Sequence, residues 1–189
     1  MDKISAAKPG VSGGVWCAPA GSTLPTDARS ALDSAFASLG HVSDAGLTRN
    51  LNKEAAPINA WGGQVVAIVG GKKTETFKYK LLTYNNPTIL EMVFGEAAGD
   101  LTNGIAVKSN GSQGVAHAYV FEAILGDDVH QRIVVPSAIV TEVRDIVYVD
   151  SDVIAFDLTI TAIADSYGNT AYEYLQTITG ATGATGATN

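Results

Sequence analysis

The chain has 189 residues, of which 46% are hydrophobic, 16% charged and 7% aromatic, and 12 Lys and Arg against 19 Asp and Glu give it a net charge of -7. A chain of this length buries roughly 70% of its unfolded surface, so one core and one domain are expected. The acidic balance argues against a nucleic-acid-binding face, and without an apolar run of about 20 residues we expect no membrane-spanning segment. Residues Met1 to Ser5 lack the apolar stretch of a signal peptide.

The first 40 residues combine an irregular arm with a predicted helix. Glycines and prolines dominate residues 1–25 and leave room for one short strand at 15–18. Apolar residues then recur at helical spacing behind an N-cap candidate, Asp27, and Gly40 follows them. We therefore predict a short helix over 27–38.

Residues 41–94 contain the clearest alternation and a second helix signal. Strands are predicted at 41–43, 47–52 and 64–69, with a weakly charged loop at 53–63 and a Gly-Gly-Lys-Lys turn at 70–73. Phe77, Tyr79 and Leu81 lie on one side of a further strand, with lysines on the other side. Pro87 and Gly95 bracket an apolar helical face, which predicts a helix over 87–94.

The remaining sequence is mainly β. Strands are predicted at 116–125, 132–135 (before Pro136), 138–149, 153–164 and 172–176. Within 153–164, Phe156, Leu158 and Ile160 face one way, and Asp157, Thr159 and Thr161 face the other. About eight strands and two short helices predict an α+β fold dominated by its sheet. The Gly-Ala-Thr repeats from Gly180 have no large side chain to bury, so residues 179–189 are expected to be a flexible tail after a domain over 1–178.

Catalytic and metal-binding signals are weak. Cys17 is the only cysteine, and a small buried strand residue is a simpler interpretation of it than a nucleophile. The Gly70–Lys73 segment lacks the upstream glycine, the Ser or Thr and the helix of a phosphate loop. Asp150 and Asp152 supply too few oxygen ligands for a calcium loop. We expect no enzyme activity, catalytic residue, cofactor or metal.

Trp61 stands out because it is a large apolar side chain on a glycine-rich loop. Such a residue often contacts another subunit, although folding back onto its own core is the alternative. Candidate contact residues around it are Pro57, Ile58, Gln64 and Val66.

An ordered series of segments extends across roughly residues 11–165. The segments are VWCAP (15–19), TLPTD (23–27), LGHVSDAGLT (39–48), INAWGGQVV (58–66) and FKYKLL (77–82). In this order they resemble the major tail proteins, or tail tube subunits, of long-tailed non-contractile phages, particularly those that infect actinobacteria. Many relatives carry a C-terminal immunoglobulin-like domain, but the Gly-Ala-Thr repeats do not resemble one, so surface decoration by such a domain is not expected here.

The resemblance implies a β-sandwich or barrel-like subunit with a flanking helix and a long hairpin arm at about residues 44–75. Six copies would close a ring, and rings would stack into a tube that conducts DNA during ejection into the host. Expected partners are other copies of the chain, a tape measure protein, and tail tip and terminator proteins. Genomic DNA would pass without specific binding. The protein would assemble in the host cytoplasm and remain in the virion tail.

The bore of such a tube must not retain DNA, so acidic or neutral walls are expected. Asp157, Thr159 and Thr161 are the candidate lumen-facing residues. Lys78 and Lys80 would attract phosphate there unless acidic neighbours offset them or their face points elsewhere. A β-rich binding or adhesion module, of a virion or a cell surface, is the alternative function. An enzyme that depends on Cys17 or His117 is a more remote one.

Overall fold

The computed structural model describes residues 5–9, 14–111, 114–126 and 128–178, and this part of the chain is mainly β. Its elements, in chain order, are β1 (Ala7–Pro9), β2 (Val15–Pro19), β3 (Ala37–Ser38), β4 (Val42–Asn59), β5 (Val65–Leu81), α1 (Pro87–Phe94), β6 (Gly95–Asp100), β7 (Gly104–Ser109), β8 (His117–Leu125), β9 (Val129–Val143), β10 (Phe156–Ala162) and β11 (Tyr172–Thr177). The predicted sheet-dominated α+β class is confirmed, with eleven strands and one helix among the described residues instead of about eight and two.

Nine strands form one antiparallel sheet, whose main path runs β3-β2-β8-β9-β10-β5-β4. Strand β1 also pairs with β8, and β11 pairs with β9. Strands β6 and β7 form a separate two-stranded sheet. Within the described residues the path ends at β3 and β4, so the sheet does not close into a barrel and both terminal strands have a free edge.

The core forms because the sheet folds across itself. Phe77 on β5 and Phe121 on β8 stack with ring centroids 5.3 Å apart, although their strands are not neighbours in the sheet. Phe156, Leu158 and Ile160 of β10 are buried in the same cluster, which confirms the predicted inward side of that strand. The fold is therefore an open, sandwich-like β structure with a single principal core.

Helix α1 closes one side of this core, and its position is determined locally. The Asn86 side chain accepts a 3.0 Å hydrogen bond from the Thr88 N–H, and Pro87 occupies the first turn, where no N–H is needed. Gly95 ends the helix at φ 106°, a conformation that favours glycine. The prediction of a helix over 87–94 is confirmed.

The predicted helix over 27–38 is wrong. The Asp27 carboxylate accepts hydrogen bonds from the N–H groups of Arg29 and Ser30, and the Asp33 carboxylate accepts one from Ala35. In these local turns, side-chain carboxylates provide the hydrogen-bond acceptors for backbone N–H groups that a helix would otherwise provide. The segment instead covers the outer face of β2, β8 and β9, where Phe36 packs in a second, smaller core cluster.

Residues 42–81 form one long hairpin, and this corrects two local predictions. The predicted loop at 53–63 is mostly strand β4, and the predicted turn at 70–73 lies inside β5. Between the Lys53–Lys73 and Ala55–Gly70 pairs the register shifts, so β5 holds an extra residue there. The actual turn is at residues 60–63.

Other strand boundaries differ from expectation around a proline and a polar segment. Strand β9 continues through Pro136. The pairing register between β8 and β9 shifts between His117 and Tyr119, beside this proline. Such an irregularity accommodates proline, which has no N–H to donate to the neighbouring strand. It ends at Val143, not at 149, and β10 runs from Phe156 to Ala162, not over 153–164. The predicted last strand is confirmed as β11. The predicted flexible tail at 179–189 lies outside the described residues.

Candidate functional site: an exposed hairpin arm

The outer part of the β4–β5 hairpin, residues 51–73, is here called the arm. Every residue of the arm is exposed except Ala60, which is half-buried. Seven of its exposed residues are large and apolar: Leu51, Ile58, Trp61, Val65, Val66, Ile68 and Val69. An exposed apolar surface of this kind marks an interaction site in a folded protein.

Both faces of the arm are apolar. Residues paired across an antiparallel hairpin share a face, and successive pairs alternate between the two faces. Ile58 is opposite Ala67 on one face, and Pro57 is opposite Ile68 on the other. A hairpin that packs on the protein with one face and meets water with the other needs apolar residues on one face only. Apolar residues on both faces are the pattern of a hairpin that other protein surfaces cover on both sides.

An ionic cluster around the buried Glu75 carboxylate fixes the base of the arm to the rest of the fold. Arg49 donates a 2.6 Å hydrogen bond to Glu75, which is only 1% exposed, and a 2.8 Å hydrogen bond to Glu173 on β11. The Thr170 hydroxyl donates a hydrogen bond to the other carboxylate oxygen of Glu75. The Arg49 guanidinium also lies 5.6 Å from the Phe77 ring centroid. The cluster joins β4, β5 and β11, so the arm projects from a fixed base.

The five predicted contact residues all lie on the arm and are exposed. Pro57 and Ile58 are on β4, Val66 is on β5, and Gln64 precedes β5, its carbonyl accepting a 2.8 Å hydrogen bond from the Ala60 N–H. Trp61 is at the turn with a relative exposure of 107%. The alternative in which Trp61 packs on its own core is therefore wrong, and its contact with another subunit stays a prediction.

The three candidate lumen residues lie on the outer side of β10 in different environments. Asp157 is half-buried, 3.7 Å from the Arg144 guanidinium. Thr159 is only 6% exposed and donates a 3.1 Å hydrogen bond to Glu142, while the Thr161 hydroxyl is 2.9 Å from that of Thr141. That they face a bore stays a prediction.

The two lysines that conflict with an acidic bore share this face. Lys80 is paired with Asp157 across β5 and β10, and Lys78 is paired with Thr159. Glu142 is the residue opposite Thr159 on the other side. Lys80 therefore has an acidic residue directly across the strand pair, whereas Glu142 lies one strand beyond the partner of Lys78. That acidic neighbours offset these lysines in a bore stays a prediction.

A second exposed surface lies between β9 and β10. It was missed in the sequence, because these residues were assigned to two strands joined by a turn at residues 150–152. The segment 144–155 is irregular and borders a cavity of about 530 Å³, lined by Lys80, Glu142, Val143, Arg144, Asp145, Val147, Asp152, Val153, Ala155 and Asp157. Val147, Tyr148, Val149 and Val153 are 49–69% exposed. The available signal was the five carboxylates among residues 142–157, too many for a strand packed in a sheet.

Cys17, which was considered as a nucleophile, is buried in β2. Burial raises the pKa of the Cys17 thiol to about 12, so the thiol is protonated at neutral pH and is a poor nucleophile. Within residues 5–9, 14–111, 114–126 and 128–178, no group of three or more His, Cys, Asp or Glu could hold a metal ion. In the same part of the chain, no helix has the length and apolar character to cross a membrane.

Comparisons with known proteins agree with the resemblance found in the sequence. A family model described as phage tail tube protein matches residues 4–185. The search of curated proteins gives no significant match. Nine chains of solved structures match; one is from a cryo-EM structure of the anti-feeding prophage cap, a cap that terminates a tube. It is 11% identical, with a TM-score of 0.40, over 93% of this chain and 96% of its own.

Proposed function

The chain belongs to the phage tail tube protein family, and on this premise we propose that it is the repeating subunit of a tube of stacked hexameric rings. A structural role in the virion tail follows from the family, and the family suggests that this role is not enzymatic. The ring symmetry, the stacking and the passage of DNA through the bore during ejection into the host are the proposal.

The observation that carries the proposal is the arm. Its seven large apolar side chains are 45–107% exposed in the isolated subunit, and an isolated two-stranded hairpin is at best marginally stable in water. Burial against identical neighbours would stabilise the arm and remove its apolar surface from water. The free edges of β3 and β4 support the same conclusion, because pairing between copies would satisfy them.

Within such a tube we propose that Pro57, Ile58, Trp61, Gln64 and Val66 contact neighbouring subunits, and that Asp157, Thr159 and Thr161 face the bore. The net charge of -7 would disfavour retention of DNA during passage. The further partners would be a tape measure protein and the tail tip and terminator proteins, with assembly in the host cytoplasm.

The proposal is tested by concentrating the purified chain and imaging it by negative-stain electron microscopy. Stacked rings or hollow tubes are expected, and the same protein should be found in purified virion tails. A chain that is monomeric in every condition and absent from virions would contradict the proposal. In that case the exposed Trp61 would favour the alternative, a β-rich binding module whose arm stays accessible.

A further inference from the structure

The arm and the surface between β9 and β10 lie at opposite ends of strand β5. The arm contains Val65 and Lys73, whereas Lys80, near the other end of the strand, lines the 530 Å³ cavity. At about 3.3 Å per residue, Val65 and Lys80 are separated by about 50 Å along the strand, so the arm cannot fold back into the cavity of its own subunit. The segment 142–157, with this cavity, is here called the groove.

The groove combines apolar side chains with unpaired negative charge. Its five large exposed apolar residues are Val143, Val147, Tyr148, Val149 and Val153. Residues 142–157 contain five carboxylates and one arginine, and Arg144 approaches Glu142 and Asp157 at 3.9 and 3.7 Å. Asp145 and Asp150 are exposed and have no ion-pair partner in the described part of the chain.

The arm has the complementary composition. Its apolar faces are flanked by three lysines and one glutamate. Lys53 and Lys73 are directly opposite each other on β4 and β5, and like charges in this position destabilise a hairpin. Lys53 and Lys72 are exposed and lack an ion-pair partner among the described residues. A negatively charged surface outside the hairpin would relieve this repulsion.

From this complementarity we propose that the groove of one subunit receives the arm of a second copy of the chain. The inference rests on the proposed tube. Apolar side chains of the arm cover Val147, Tyr148 and Val149, and the lysines at the base of the arm face Asp145 and Asp150. Because donor and acceptor surfaces lie at opposite ends of one strand, the contact is head-to-tail, and between stacked rings its repetition would extend a filament.

Charge reversal on each surface separately, and then on both together, tests the contact. Lys53→Glu/Lys72→Glu places negative charge on the arm, and Asp145→Lys/Asp150→Lys places positive charge in the groove. All four side chains are exposed, so each variant should fold, as circular dichroism and thermal unfolding would verify. Asp44→Lys/Glu91→Lys is the matched control for the groove variant, since it makes the same change in net charge at exposed positions outside both surfaces.

Each single-surface variant should raise the critical concentration for tube formation about tenfold or more, because like charges would meet at every contact. The chain with all four substitutions should assemble near the wild-type concentration, as should an equimolar mixture of the two single-surface variants. The Asp44→Lys/Glu91→Lys control should also assemble near that concentration.

Three outcomes would overturn this contact: normal assembly of either single-surface variant, failure of the four-substitution chain to recover, or an equal loss in the control. If the unmodified chain itself forms no tubes, the proposed function fails. If the unmodified chain forms tubes and the reversals have no effect, only the arm–groove contact fails.

Discussion

Arg49 donates a 2.6 Å hydrogen bond to Glu75, a glutamate whose side chain is only 1% exposed. The two residues are on the two strands of the hairpin, and Glu173 of β11 accepts a second hydrogen bond from the same guanidinium. The arm therefore starts from a base that is fixed by the buried Glu75 carboxylate, while every residue of the arm except Ala60 is exposed.

Arg49→Met should destabilise the subunit, because it leaves the Glu75 carboxylate buried without its cation. Removing one partner of a fully buried ion pair costs ~3–5 kcal/mol. Since the Arg49 side chain is 32% exposed, the expected loss is about 2–3 kcal/mol, measured by urea unfolding of the monomer. Lys108→Met is the matched control: its pair with Glu96 is exposed and should contribute about 0–1 kcal/mol. Equal losses in the two variants would contradict a special role for Arg49.

Trp61→Ala should leave the stability of the monomer unchanged and weaken assembly, because the side chain is fully exposed in the isolated subunit. An aromatic anchor at an interface commonly contributes about 2–4 kcal/mol. Sedimentation velocity across a concentration series would measure the shift. Tyr167→Ala is the control, because Tyr167 is also aromatic and 85% exposed but lies outside the arm. If Trp61→Ala formed normal tubes, Trp61 would not be an interface residue.

Gly71→Val should disrupt the arm while Gly70→Val should be tolerated. A Cβ at Gly71 would lie 2.7 Å from the Glu54 carbonyl oxygen, and both atoms belong to the hairpin itself. A Cβ at Gly70 meets nothing within 4 Å. The first variant should therefore keep a folded core, seen by near-UV circular dichroism, but lose tube formation. Equal assembly of the two variants would show that the local register of the arm does not matter.

Cys17 should be unreactive toward a thiol reagent in the native protein. With a pKa of about 12, raised by burial, roughly one thiol in ten thousand is ionised at pH 8. In the unfolded chain the pKa returns to about 8.5, so addition of urea should permit stoichiometric labelling. Rapid labelling of the folded protein at pH 8 would contradict the burial of Cys17 and reopen a nucleophilic role.

The same pKa shift predicts loss of stability at alkaline pH. Between about pH 8.5 and 12 the unfolded chain releases the Cys17 proton and the native chain retains it, so unfolding becomes easier as pH rises. Burial also raises the pKa of Tyr79 and Tyr119, which acts in the same direction. Cys17→Ala should show a shallower alkaline decrease in the free energy of unfolding than the parent chain. An identical pH profile would contradict this assignment.

The sequence was sufficient to predict an element wherever residues within or next to that element determine its ends or its buried face. Helix α1 was predicted because Pro87 and Gly95 mark its two ends within the sequence. The inward side of β10 was predicted because its apolar residues Phe156, Leu158 and Ile160 alternate with polar ones, the pattern of a strand with one buried face.

Predictions failed where tertiary contacts override local pattern. Phe36 and Leu39 have helical spacing, but the fold packs them in two different clusters, one on each side of β2. The Gly70–Gly71 pair suggested a turn, yet it accommodates a register shift within a long strand. The five carboxylates among residues 142–157 could have indicated an exposed segment, but the cavity itself could not be foreseen because it depends on where β9 ends and β10 begins.

The most direct test of the central claim, that the polymer is the working form, is a cryo-EM map of the assembled particle at side-chain resolution. We predict hexameric rings stacked into a hollow tube, with Trp61 covered by a neighbouring copy. A tube in which the arm extends freely into solvent, or particles that contain only single subunits, would contradict it.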